Sequence, residues 1–157
     1  MKKIASIIFA ATAFFLVTNI AVAFDIATLD AVSVLMPKSK VISLLGHPDE
    51  IGNLGKGLKA EIYKVSKMDP MVGTGCIYDD DQYLRGQAFI FKGNIGKQTV
   101  EAIEKCGFVI LEKKENFSLL SGKDDDTGLP IMVTVLEDSG MTTVTTFEKD
   151  FYDQRVK

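Results

Sequence analysis

Apolar and polar residues change period several times along the chain, and each change marks an element. Behind Met36-Pro37, Val41, Leu44 and Leu45 fall at i, i+3 and i+4, one apolar face of a short helix from Pro37 to Leu45. Pro37 suits a first helical position, Gly46 a left-handed C-terminal cap, and Pro48 keeps the helix from resuming. After a glycine-rich stretch, Leu58-Lys59-Ala60-Glu61-Ile62 alternates, and Tyr63 and Val65 continue it: a half-buried strand. Met68 to Gly75, with Pro70, Gly73 and Gly75, reads as turn, followed by a short strand at Cys76-Ile77-Tyr78. Ala88 to Phe91 is a continuous apolar run of central-strand type.

A second helix is predicted from about Lys97 to Cys106. Val100 and Ile103 share one side, Glu101 and Lys105 form an i, i+4 pair on the other, and Gly107 is the stop. Strands follow at Phe108 to Leu111 and Phe117 to Leu120. Next comes Ile131 to Leu136, apolar on both faces. A hairpin turn at Asp138-Ser139-Gly140 leads to a Thr- and Val-rich strand from Met141 to Phe147. Glu148 to Lys157 is a charged tail, and Phe24 to Leu35 fits a strand or a first helical turn equally. This order predicts an α+β two-layer sandwich, with short helices packed on a mostly antiparallel sheet. The halves 24–95 and 96–150 read as a diverged tandem repeat, with 151–157 as a short tail.

The first 23 residues carry a basic start, an apolar run from Ile4 to Val22 and a small-x-small site at Ala21-Val22-Ala23. That is the pattern of a secretory signal peptide, with the mature chain beginning at Phe24 as one domain, periplasmic or secreted. Cleavage would leave no stable membrane span. It would also leave a net charge of −5, because the leader holds two of the 18 basic residues and none of the 21 acidic ones. An acidic chain without a basic block does not suit nucleic acid or an anionic lipid surface. At 46% hydrophobic and 25% charged residues the chain has a globular composition.

Candidate chemistry is sparse. Cys76 and Cys106 are the only cysteines, and an even count in an oxidising compartment predicts a disulfide; the alternative is two buried thiols that never meet. His47, the only histidine, offers a metal site with Glu50, or a catalytic pair with a free cysteine, against the plainer reading of a polar residue in a helix-stop turn. Gly52-Asn53-Leu54-Gly55-Lys56-Gly57 has the glycines of a phosphate loop but neither its Lys-Ser/Thr ending nor a following helix. Asp79-Asp80-Asp81 and Asp124-Asp125-Asp126 offer oxygen ligands for calcium without the EF-hand spacing, and as solvated loop tips they need no ligand. Tyr63, Tyr78, Tyr83, Phe89 and Phe91 are the aromatics around the sheet, available either to the core or to a binding surface. No motif asks for a cofactor.

The run from Met36 to Glu50, then Glu61-Ile62-Tyr63-Lys64-Val65, then Phe89-Ile90-Phe91-Lys92-Gly93-Asn94, resembles the SmpA/OmlA (BamE-like) family and the β-lactamase inhibitor protein fold, over about the first half of the mature chain. The resemblance implies a module that binds a protein through its sheet face and carries no catalytic residues. The mature start lacks the cysteine that lipidates the assembly-factor family. The sequence thus points first to a non-enzymatic protein-binding module, envelope-associated or inhibitor-like. The alternatives are a small-ligand or calcium-binding domain and a minor Cys/His enzyme.

Overall fold

In the computed structural model the described residues are 26–157; the predicted leader and the Phe24 start lie outside them. Alternation in the second half and the runs around Phe89 build eight strands: β1 (Glu50–Gly55), β2 (Leu58–Met68), β3 (Met71–Tyr78), β4 (Leu84–Lys92), β5 (Val109–Lys113), β6 (Phe117–Lys123), β7 (Pro130–Asp138) and β8 (Met141–Glu148). They form one open antiparallel sheet in the order β1-β2-β3-β4-β8-β7-β6-β5. Four short α-helices accompany it among the described residues: α1 (Ile26–Asp30), α2 (Lys38–Leu45), α3 (Gly96–Glu104) and α4 (Lys149–Phe151), the last running into a π-helical turn, Tyr152–Val156. Among the described residues no helix is long and apolar enough to cross a membrane.

This corrects the predicted α+β two-layer sandwich. The helices are 5, 8, 9 and 3 residues long, too short to make a layer over eight strands. Two strand segments also replace predicted loop. The glycine-rich stretch is edge strand β1, and β3 runs straight through Gly73 and Gly75. Each four-strand meander follows one helix, α2 or α3, and the two meanders meet where β4 pairs with β8.

Register sorts the side chains. Tyr63, Thr74, Phe89, Val144 and Val135 lie in one row across β2, β3, β4, β8 and β7, all buried. They form the main core with Val41 and Leu45 of α2 and Val100 and Ile103 of α3. Leu44, placed by the sequence on the buried face of α2, is half-buried and packs on that core from the side. Gly46 caps α2 at φ +81°, its N–H donating to Ile42 O at 2.8 Å, as the helix-stop pattern predicts. Alternate residues point to the second face of the sheet. There Leu58, Ala60, Ile77, Met132 and Phe147 form a separate cluster with Phe151 and Tyr152 of the C-terminal segment. The predicted charged tail therefore folds back and closes one end of this face.

Candidate functional site

The second face continues beyond the C-terminal segment in two further rows of side chains. One row, Ile62–Gly75–Ala88–Thr145–Thr134–Leu119, crosses six strands. The next row, two residues along, is Lys64–Gly73–Ile90–Thr143–Leu136–Phe117. In the first row the large side chains, Ile62 and Leu119, stand at the flanks and small ones fill the middle, which makes a shallow trough; in the second row Ile90 and Leu136 rise beside Gly73 and Thr143 and bound it. Five strand spacings of about 4.8 Å put its flanks roughly 24 Å apart. Gly73, Gly75, Ala88 and Thr145 are its buried floor; Ile62, Ile90 and Leu119 are half-buried, and Leu136 is 42% exposed. A Cβ on Gly75 would sit 3.4 Å from the Ala88 Cβ, in ordinary contact, and would raise the floor without a clash.

The sequence-predicted sites fall elsewhere. Of the five candidate surface aromatics, Tyr63, Phe89 and Phe91 are at most 1% exposed, in the core beneath the helices. Tyr78 is half-buried against that core, and only Tyr83, in the β3–β4 turn, is exposed. Alternation explains this: each of the first three occupies the helix-covered parity of its strand, while the surface parity carries Ile62, Gly75, Ala88 and Ile90. The trough escaped sequence reading because two of its floor residues, Gly73 and Gly75, read as turn.

The predicted Cys76–Cys106 disulfide is not formed. Cys76 lies fully buried on β3, opposite Glu61 and Gln87, in a polar knot with Tyr63 and Tyr78. Cys106 is half-buried past the end of α3, its thiol donating to Ala102 O at 3.2 Å. Burial pushes the Cys76 thiol up to about 12, with the Tyr78 hydroxyl opposing the shift and the Glu61 carboxylate adding to it. Such a thiol stays protonated and does not act as a nucleophile. Lys38 of α2 closes the knot with an ion pair to Glu61, its ammonium 5.3 Å from the centre of the Tyr78 ring. Alkylation of the native chain at pH 8 should therefore modify Cys106 alone, and denaturation should release a second thiol. Two thiols modified at equal rates in the native chain would place Cys76 near the surface.

His47 is exposed in the bend after α2, and Glu50 pairs with Lys64 at 3.2 Å. The phosphate-loop lookalike is β1 plus a tight hairpin, with Lys56 at φ +50° and Gly57 at +76°. The acidic tips are occupied by protein donors. Asp79 accepts from Tyr83 N–H at 2.8 Å and from Arg85 Nε at 2.6 Å. Burial works to raise the Asp79 carboxyl, but the Tyr83 amide and the Arg85 guanidinium outweigh it and hold it low. Asp124 accepts from both N–H and Oγ1 of Thr127 at 2.8 Å, three residues on, which closes the turn. Among the described residues no three His, Cys, Asp or Glu side chains are grouped to hold a metal ion. Two clefts, of about 280 and 300 Å³, lie beside these acidic turns; the larger is crossed by the Arg85–Glu148 ion pair at 3.2 Å.

No family model, curated protein or solved structure matches the chain, so the functional reading rests on this geometry.

Proposed function

We propose that the chain is an exported, non-enzymatic protein-binding module that takes its partner in the trough on the second sheet face. The observation that carries this reading is the pair of rows through Ile62 and Ile90. They make a broad surface of aliphatic side chains, threonines and a glycine floor, with Lys64 at one flank and Lys92 and Asp138 together in the next row, both paired with Met141. Half-buried aliphatic side chains around a fixed backbone floor give shape complementarity without an ordering cost. The edge strands suit this role less well. Both β1 and β5 carry a register shift, and Lys113 and Lys114 mark the end of β5, which are devices that blunt an edge.

The surroundings of the cysteines and the histidine also favour binding over catalysis: among the described residues Cys76 is buried on β3, Cys106 lies past the end of α3 and His47 is exposed after α2, in three separate places. Export rests on the basic start, apolar run and small-x-small site of the first 23 residues.

The test is capture. The chain starting at Phe24 is immobilised and exposed to envelope extract of the source cells, beside Ile90→Glu and Ser43→Ala variants. Ile90→Glu puts a charge in the trough, and should lower capture of the bound protein at least tenfold, since an unpaired interfacial carboxylate costs more than about 1.4 kcal/mol. Ser43 is exposed on α2, its hydroxyl donating to Lys40 O at 2.7 Å, and its loss should change nothing. Equal capture by all three chains would remove the trough from the account.

A further inference from the structure

The other end of the same face shows what kind of segment fits it. The row Ala60–Ile77–Gly86–Phe147–Met132 lies two residues along from the trough, and the C-terminal segment sits on it. Its contacts have the anatomy of a bound peptide. Two adjacent aromatics, Phe151 and Tyr152, are each 7% exposed and are the buried anchors. The Tyr152 ring lies 5.7 Å from that of Phe147, tilted at 54°. Phe147 itself lies flat over Gly86, where a Cβ would come within 2.7 Å of its ring. Around the anchors Val156 packs half-buried against the same cluster, and the remaining contacts are polar and at the rim. Arg155 reaches Asp80 at 3.4 Å, Lys56 Nζ donates to Val156 O at 3.1 Å and to Lys157 O, and Lys149 pairs with Asp153. Such rim pairs contribute little in water, so the two aromatic anchors, with Val156 beside them, hold the segment down.

We propose that this shelf is a docking site for a short helical peptide with two adjacent aromatic side chains. The chain's own C-terminal segment fills it in cis, and a partner's segment of the same kind competes for it. The proposal rests on the reading of this face as a protein-binding surface and adds the chemistry of the partner. Displacing the segment would uncover Leu58, Ala60, Ile77, Met132 and Phe147, which continue the trough through Ile62 and Leu119.

The probe is a fluorescent, N-acetylated peptide of residues 149–157, titrated by anisotropy into the full chain and into the full chain carrying Phe151→Ser and Tyr152→Ser. The double variant vacates the shelf while keeping the chain's length. It should stay folded by circular dichroism and bind the peptide at least tenfold more tightly than the unchanged chain. A peptide with serine at the same two positions should lose that binding. A folded double variant that ignores the peptide would overturn the docking site. So would a double variant that unfolds, since the segment would then be part of the core and not an occupant. The two failures are distinguishable, since one is read with the peptide on the shelf and the other with the captured protein and Ile90→Glu in the trough.

Discussion

Phe89→Ala should destabilise the chain by about 3–5 kcal/mol, a third or more of what a domain of this size commonly has. The side chain is 1% exposed at the middle of β4, with Thr74 beside it on β3 and Val144 on β8. It sits at the seam where the two meanders join, and the core beneath α2 and α3 closes over it. Truncation removes the transfer free energy of a ring and leaves a cavity between strands whose hydrogen bonds keep them from collapsing. Ile90→Ala, one residue on, falls on the other face, is half-buried, and should cost about 1 kcal/mol. Urea unfolding of both variants checks the pair, with melting temperatures differing by roughly 3–5 °C per kcal/mol. A reversed ranking would mean that β4 is shifted by one residue, which would exchange its two faces.

Alkaline pH should unfold the chain well before ordinary tyrosine and lysine titration alone would. Burial pushes both the Cys76 thiol and the Tyr63 hydroxyl up to about 12, and the neighbouring Tyr78 is raised as well. These groups are neutral when protonated, so the folded chain keeps protons that the unfolded chain gives up. Above about pH 9 the unfolded state binds fewer protons, and stability falls as pH rises. The stabilisation is complete below the ordinary thiol pKa and is lost as pH climbs through about 12. The slope should be on the order of 1 kcal/mol per pH unit, with the knot titrating as one coupled unit and not as a sum of three. Cys76→Ala should move the onset from about pH 9 to about pH 10, where tyrosine titration begins. Denaturant midpoints measured from pH 8 to 11 would show this. A flat profile over that range would mean that the knot is open to water.

Where a pattern depends on near neighbours, the sequence was legible. Val41, Leu45 and Gly46 delimit α2, and Val100, Ile103 and Gly107 delimit α3. Ser139 and Gly140, at φ +51° and +77°, make the predicted hairpin between β7 and β8. What was not legible depends on distant partners. Gly73 and Gly75 look like turn residues, yet they sit mid-strand because β2 and β4 pair with β3 on both sides. Phe151 and Tyr152 sit in a charged tail, and only the shelf across the sheet makes a helix of it. Phe89 and Phe91 were read correctly as strand, but the face they take is set by register, which local sequence does not specify. The trough itself is made of residues without functional signatures, Ile62, Ala88, Ile90 and Thr143 among them, so only their alignment across six strands brings it into view.

Methyl-labelled isoleucine and leucine spectra of the chain, recorded with and without the captured protein, bear most directly on binding through the trough. Ile62, Ile90, Leu119 and Leu136 should shift or broaden, while Ile103 and Leu45, on the helix-covered face, should stay in place. Perturbation confined to Ile103 and Leu45, or to Ile51 and Leu111 on the edge strands, would contradict a binding surface on the second face of the sheet.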